Sequence, residues 1–359
     1  MKIMTILGTR PEIIRLSRII PKLDEVCDHV LVHTGQNYDK TLNDIFFDDL
    51  KVRKPDYFID SKSNTLGEQL SKIFIGVEKA LNKYKPDKVL ILGDTNTSLC
   101  TVLVERLGYP VYHMEAGNRC YDMKVPEEKN RKVIDCVSSY NLPYTPGSRE
   151  NLLREGIKKD RIFETGNPIN EVILYYQPQW SKSDVISKLS IGSSFVLVTA
   201  HRAENVDSEK RLLNILDSLN KIAERYFVVF SCHPRTKKRI ANLKWKPKKN
   251  LLITEPLGFF DFIKLESLAK CVISDSGTVQ EECCLFKVPS VTIRDSTERP
   301  ETVECGSNIV SGLKKKNIMN CFDIALTLPN KWEVPVGYDV NNVSTKVVNF
   351  LIGNQLGEV

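Results

Sequence analysis

The segment Asp275-Ser276-Gly277-Thr278 carries the strongest chemical signal in the chain: it follows an apolar run and opens a helix through Val279-Gln280-Glu281-Glu282. A helix N-terminus presents unpaired N–H groups and partial positive charge, which suits a phosphate. Gly277 lets backbone approach a ligand closely, and Glu282, one to two turns in, is within reach of a ribose diol. An ordinary Asp or Ser cap is the structural alternative. Gly8-Thr9-Arg10-Pro11-Glu12, with Arg15 a turn further on, sets two cations beside another helix N-terminus. That suits a diphosphate, although Arg15 taken alone also reads as a solvated helix residue. His201-Arg202-Ala203-Glu204-Asn205 follows an almost purely apolar strand. A His there can donate to phosphate or transfer a proton, or be a satisfied structural group. His233-Pro234-Arg235 repeats the placement on the next strand. In the first half the carboxylates Asp94, Glu115 and Glu127 fall at loop positions, and Glu127 and Arg131 are four apart on a helix predicted after Pro126. Residues so spaced share a helix face, and a carboxylate held by an Arg orients substrate or moves a proton. Each carboxylate taken singly is equally compatible with a cap or a surface ion pair. The pattern puts phosphate binding in the second half and acid/base groups in the first, an arrangement that calls for a cleft and a closing motion.

The elements that must position these groups alternate between short apolar strands and amphipathic helices. Strands are predicted at Lys2–Leu7, His29–His33, Lys88–Leu92, Pro110–Met114 and Asn141–Tyr144. Pro11 opens the first helix, where its missing N–H costs nothing. The series restarts with Ser194–Thr199, Phe227–Ser231, Leu251–Thr254, Cys271–Ser274 and Ser290–Ile293. Strands separated by helical sequence imply parallel sheets covered on both faces, so the predicted fold class is α/β with two doubly wound halves. Functional groups in such sheets gather beyond the C-terminal strand ends, which is where the polar clusters lie. The boundary is predicted near Gly166-Asn167-Pro168, followed by a helix and a linker containing Gln177-Pro178-Gln179. This gives a first domain over residues 1–168, a second over 169–340, and a final helix within 341–359 that can belong to either.

Bulk properties agree. At 359 residues the chain exceeds one compact core of typical size. A net charge of +6 suits an anionic substrate and is too small and dispersed to argue for nucleic acid. The opening apolar run is too short for an export signal and Arg10-Pro11-Glu12 follows at once, so a buried strand and a cytoplasmic protein are expected. No stretch approaches the ~20 apolar residues of a membrane span. The ten cysteines show no zinc spacing and read as reduced, mostly buried thiols. No G-x-G-x-x-G follows a strand and no P-loop is present, which removes support for dinucleotide redox chemistry and P-loop phosphoryl transfer.

Taken in order, Gly8-Thr9-Arg10-Pro11-Glu12, Gly93-Asp94, Glu115-Ala116-Gly117, Pro126-Glu127-Glu128-x-Asn130-Arg131, Thr199-x-His201-Arg202-x-Glu204-Asn205, Asp275-Ser276-Gly277-x-x-Gln280-Glu281-Glu282 and Thr297-Glu298-Arg299-Pro300-Glu301 resemble the non-hydrolysing UDP-N-acetylglucosamine 2-epimerases. The resemblance implies a glycosyltransferase-B type fold, with two Rossmann-like domains facing a cleft and the C-terminal helix crossing back onto the first. It implies that UDP sits mainly on the second domain. Ser276, Gly277 and Thr278 would hold phosphate, Glu282 the ribose and Phe262 the uracil. Arg10, His201 and Arg299 would surround the diphosphate, with Arg15 nearby. Asp94, Glu115 and Glu127 would form the acid/base set, supported by Arg131. A UDP-activated N-acetyl amino sugar is the implied ligand and a homodimer the family expectation; no metal, nicotinamide or other cofactor is implied.

Some positions depart from the commonest family pattern. Asn118-Arg119-Cys120-Tyr121-Asp122 stands where Leu-Arg usually follows Glu-Ala-Gly, the segment to Pro126 is shortened, Arg15 replaces a common Lys, and the Thr34-Gly35-Gln36-Asn37-Tyr38-Asp39 loop differs. These features are similar to the branch that forms UDP-N-acetyl-L-fucosamine from UDP-2-acetamido-2,6-dideoxy-L-talose. An ordinary UDP-N-acetylglucosamine 2-epimerase is the first alternative. A glycosyltransferase or a non-catalytic UDP-sugar sensor on the same architecture are more remote ones.

Overall fold

The computed structural model describes residues 1–36, 46–192 and 194–353. Asn37, Tyr38 and Asp39 of the unusual loop therefore lie outside the described residues. The chain divides into two units, Met1–Tyr175 with Val336–Val359, and Tyr176–Pro335.

In the first unit the strands are β1 (Lys2–Leu7), β2 (Asp28–His33), β3 (Tyr57–Phe58), β4 (Lys88–Leu92), β5 (Val111–Met114) and β6 (Tyr140–Leu142). They pair in parallel in the order β3-β2-β1-β4-β5-β6. β4 is buried throughout and β1 from its second residue on, as expected when helices cover both faces. Met4, Ile6, Val32, Val89 and Ile91 meet Ile73, Val77 and Leu81 of the Leu66–Tyr84 helix in one core.

The second unit contains β7 (Phe195–Thr199), β8 (Phe227–Ser231), β9 (Leu251–Thr254), β10 (Cys271–Ser274), β11 (Ser290–Thr292) and β12 (Asn308–Val310), in the order β12-β11-β10-β7-β8-β9. Numbered from its own first strand, this is the same order as in the first unit, and both have the Rossmann arrangement. Strand order reverses between β1 and β4 and again between β7 and β10. In doubly wound sheets ligands bind at such switch points, outside the C-terminal strand ends. The segments leaving these four strands are Gly8–Arg10, Gly93–Thr95, Ala200–Arg202 and Asp275–Gly277, the ones that carry the sequence motifs.

The division falls after Tyr175, seven residues beyond the position read from the sequence, because the Pro168–Tyr175 helix packs into the first unit. Gln177-Pro178-Gln179, read as a linker, instead forms the short helix Gln177–Trp180 of the second unit. The preceding Tyr176 is buried against the rings of Phe259 and Phe260. The return of the chain to the first unit begins at Val336, before the 341 read from the sequence. The Val343–Gly353 helix is fastened there by several contacts. Phe350 stacks on Phe163 at 4.2 Å and meets Tyr140 and Tyr112 edge-on. Lys88, nearly buried, donates to the Leu351 carbonyl at 2.5 Å, satisfying a carbonyl at the helix end. Glu171 accepts from the buried Ser344 through both its N–H, at 2.7 Å, and its hydroxyl.

Removing an acceptor from a buried N–H costs its full desolvation. Glu171→Ala is expected to destabilise the protein by ~1–3 kcal/mol. Denaturant unfolding followed by circular dichroism checks this; an unshifted midpoint would mean that the helix is held by its aromatic contacts and the Lys88 bond without help from Glu171.

Candidate active site

In the first unit the site grows from one helix. Pro126–Val137 has a low apolar content, yet its buried positions are Glu128, Arg131, Ile134 and Asp135. Residues at i, i+3 and i+7 lie on one face, so this helix turns a charged stripe inward. Each charge finds partners. Glu128 accepts from the backbone N–H groups of Cys120 and Tyr121, both at 3.0 Å, and from Arg131 at 2.5 Å. Arg131 also donates to Asp94 at 2.7 Å, and Asn130 donates to the Asp94 carbonyl at 2.8 Å. Asp135 accepts from Gly117 N–H at 3.1 Å, pairs with Arg119 at 2.7 Å and lies 2.9 Å from His113 Nδ1. Burial works against the Asp135 charge, but the His113 and Arg119 contacts outweigh it and hold its pKa below the usual carboxylate value. One helix face thus shapes the whole loop after β5 and fixes Asp94 after β4.

That loop is conformationally unusual. Glu115 has φ +68, a left-handed conformation that costs a non-glycine residue ~1–2 kcal/mol and clusters at functional sites. Gly117, at φ +78, has no room for a Cβ, which would meet the Ser148 carbonyl at 2.1 Å. Glu115 forms an ion pair with Arg15, whose side chain is only 2% exposed and also lies over the Tyr144 ring. Arg15 thus sits with Glu115, not at its helix N-terminus. Arg10 is half-buried, 5.7 Å from the Phe46 ring. Glu127 is half-buried in the first turn of the Pro126–Val137 helix, next to the buried Glu128. Gln36, from the described part of the unusual loop, accepts from Thr97 N–H at 2.7 Å.

A further carboxylate joins the loops after β1 and β4. Glu12 accepts from Gly8 N–H at 2.5 Å, Thr9 N–H at 2.9 Å and the Thr95 hydroxyl at 2.8 Å. Burial dominates its protonation, and the charge of Asp94 adds to it; the pKa is raised to about 7 despite these donors.

In the second unit Asp275 plays the organising part. It is fully buried and accepts from the backbone N–H groups of His201 and Arg202, at 3.0 and 2.9 Å, and from Asn205 Nδ2 at 3.0 Å. His201 Nδ1 lies 3.3 Å from it, with the ring 41% exposed. Asp275 therefore ties the loops after β7 and β10 together. Ser276 is the N-cap of the Gly277–Phe286 helix, but its side chain makes no cap bond to the helix N–H groups. A Cβ on Gly277 would come 2.6 Å from a Glu298 carboxylate oxygen. Gln280 accepts from Thr297 at 2.6 Å and from Asn308 at 3.0 Å, and Glu281 pairs with Arg299. These bonds set Arg299 beside the helix that begins with Gly277. Thr278 is half-buried in its first turn, Glu282 is nearly buried further along, and Phe262 packs against the same core as Val279 and Cys283. The structure thus groups Asp94, Glu115, Arg15 and Arg131 in one unit, and His201, Ser276, Gly277, Thr278 and Arg299 in the other.

A family model described as UDP-N-acetylglucosamine 2-epimerase matches residues 22–352. The chain belongs to this family. It is 43% identical over 349 residues to the UDP-N-acetylglucosamine 2-epimerase of Methanocaldococcus jannaschii, covering 94% of this chain and 95% of that protein. It is 36% identical to the UDP-2,3-diacetamido-2,3-dideoxy-D-glucuronate 2-epimerase of Pseudomonas aeruginosa, over 89% of this chain and 90% of that one. The crystal structure of the M. jannaschii enzyme in complex with UDP-GlcNAc and UDP superposes with a TM-score of 0.93 at 41% identity, covering 99% of this chain and all of that one. The protein is accordingly an enzyme, a UDP-sugar 2-epimerase with two Rossmann-like domains. Among its described residues no helix is long and apolar enough to cross a membrane.

In this epimerase sequence reasoning missed the organising role of four buried carboxyl groups: Asp135, which it does not name, and Glu12, Glu128 and Asp275, which it names only as members of motifs. For Glu128 and Asp135 the signal was present, since with Arg131 they share the i, i+3, i+7 phase. Glu12 yields a pH prediction. Because its folded pKa is raised, the stability it contributes is complete below pH ~4.5 and is lost as pH rises to about 7. That loss is on the order of 3 kcal/mol. Glu12→Gln is expected to flatten this part of the profile, measured as unfolding midpoints at pH 5 and pH 8. Equal pH slopes in variant and wild type would refute the buried proton.

Proposed function

We propose that this epimerase inverts C2 of its substrate by eliminating and re-adding UDP, and that the substrate is UDP-2-acetamido-2,6-dideoxy-L-talose, yielding UDP-N-acetyl-L-fucosamine. The observation that carries the substrate reading is the loop after Gly117. Its backbone is bonded through Glu128 to Arg131 and hence to Asp94, while Tyr121, at φ +56, and Met123 are 64% and 50% exposed. A loop whose backbone is tied in this way to the proposed acid/base carboxylates, and which exposes a Tyr ring and a Met, suits a sugar that carries a methyl in place of a hydroxymethyl group. The likeness to the P. aeruginosa enzyme, whose name specifies a modified hexuronate, supports a family in which the hexose varies. The ordinary reading, UDP-N-acetylglucosamine to UDP-N-acetylmannosamine, is favoured by the 43% identity to the M. jannaschii enzyme.

The proton on C2 is weakly acidic, so direct inversion is slow. Elimination avoids a free carbanion. A base removes the C2 proton, the C–H pair becomes the C1–C2 double bond, and the C1–O pair leaves with UDP, giving a 2-acetamidoglycal. In the return step a diphosphate oxygen attacks C1 and a proton reaches C2 from the opposite face. No net oxidation occurs, so no nicotinamide is required. Asp94, Glu115 and Glu127 are the acid/base set, with Arg15 and Arg131 fixing the charge and orientation of Glu115 and Asp94. Ser276, Gly277 and Thr278 at the helix N-terminus, with Arg10, His201 and Arg299, stabilise the departing diphosphate. Asp275 orients His201 in this task. Glu282 receives the ribose diol and Phe262 packs near the uracil.

Proton NMR in D₂O of the two candidate substrates tests the assignment. Deuterium at C2 and a new epimer are expected with the 6-deoxy-L-talose nucleotide. Exchange with UDP-N-acetylglucosamine alone would establish the ordinary reaction, and exchange with neither, while UDP still binds, would sink both. Glu115→Gln and Glu127→Gln should each lower turnover by ~100-fold or more while largely sparing UDP affinity. Near-normal rates in both variants would remove the carboxylates from the chemistry.

A further inference from the structure

Two thiols of the second unit meet outside every role assigned so far. Cys284 lies in the last turn of the Gly277–Phe286 helix and is fully buried. Cys305 caps the C-terminus of the Pro300–Glu304 helix and is partly exposed, between the exposed Glu304 and Gly306. Both are free cysteines, 21 residues apart in the chain, with their Sγ atoms 3.8 Å apart. The surrounding backbone holds them in place. Trp332 Nε1 donates to the Cys284 carbonyl at 3.0 Å, and Cys305 N–H donates to the Glu301 carbonyl at 3.0 Å. The Glu281–Arg299 ion pair joins the same two stretches of chain one turn further back.

A disulfide needs its sulfurs at ~2.05 Å, so this gap closes by a shift of under ~2 Å, within the sweep of one Cys side chain about χ1. The two ends differ in character. Contact with the Cys284 thiol is the largest influence on Cys305; Ser307, whose hydroxyl lies 3.4 Å from its Sγ, and the Lys287 charge act in the same direction. Together they outweigh burial and lower the Cys305 pKa to about 6. The same contact, with burial, raises that of Cys284. The sulfur at the surface is thus the one that carries the thiolate, the form that attacks a disulfide, and the buried sulfur behind it keeps its proton.

We propose that Cys284 and Cys305 form a modification site, a reversible intramolecular disulfide made with a small-molecule disulfide of the glutathione class as oxidant, which clamps the helix beginning at Gly277 to the segment carrying Arg299. Cys305 attacks one sulfur of the oxidant, the S–S bond of the oxidant breaks, and one small thiolate leaves, taking up the proton that Cys305 has lost. Cys284 then attacks Cys305 Sγ and passes its proton to the second small thiolate as that leaves. Two protein thiols are oxidised to one disulfide, and the small disulfide is reduced to two thiols.

Incubating the folded protein with oxidised glutathione, blocking the remaining thiols and reading the digest by mass spectrometry tests this, with fragment spectra separating Cys284 from the adjacent Cys283. The expected product joins Cys284 to Cys305 and is reopened by dithiothreitol, while the exposed Cys136 carries glutathione. In Cys284→Ala the glutathione should stay on Cys305, because nothing displaces it. In Cys305→Ser the buried Cys284 should remain a thiol. Glutathione retained on Cys305 in the wild type, both thiols left free, or Cys284 joined to any other cysteine would each overturn the proposal. The bond is also expected to raise the thermal midpoint of the wild type by about 5 °C or more, a shift absent in Cys284→Ala. A lowered midpoint would mean that the bond forms only by distorting the fold, and would overturn the clamp.

Discussion

Everything in the first unit's site depends on a helix that buries charge. A carboxylate taken out of water must be paired and hydrogen-bonded, or it costs several kcal/mol. Glu128, Arg131 and Asp135 meet that requirement by recruiting groups from elsewhere in the chain: loop N–H groups, His113, Arg119 and Asp94. The requirement works in both directions. The loop after β5 cannot take another path without stranding these charges, and the charges cannot be buried without the loop. Rigid placement of Glu115 and Asp94 follows from this mutual demand, even though both sit on irregular backbone.

The second unit solves the same problem with one residue. Asp275 collects the N–H groups of the neighbouring loop, much as Glu128 collects those of Cys120 and Tyr121. Glu12 does so for Gly8 and Thr9. Each of the three buries a carboxyl group beyond a strand end, where parallel sheets leave backbone donors unpaired. In the first unit the result carries side-chain carboxylates forward. In the second it leaves helix N–H groups uncapped by Ser276. The proton transfer and anion binding proposed for the two units would thus both rest on this one architectural device.

Much of this was legible in the amino-acid sequence. Buried parallel strands are runs of Val, Ile and Leu, so β4, β8 and β10 were read with their observed ends. The edge strands β3 and β12 were missed because Tyr57–Phe58 and Asn308–Val310 are too short and mixed to carry a pattern. The motifs stood out because polar clusters directly after apolar strands have few structural excuses. Helix phase was harder to judge. Spacing alone pairs Arg131 with Glu127, whereas the inward face carries Glu128, and only the fold says which side of that helix is inward. Likewise Asp275 reads as a cap in sequence and serves a loop 73 residues earlier in the chain.

The segment from Val336 onward has a consequence for biosynthesis. A chain emerging from the ribosome completes the second unit once Pro335 is released, while the first still lacks the helix that covers Phe163, Tyr140 and Glu171. The half synthesised first is thus the half finished last, reversing the usual N-to-C order of domain folding. Premature termination shortly after Pro335 would leave the second unit whole and the first without its covering helix, so translational damage at the far end of the message would strike the half encoded at its start.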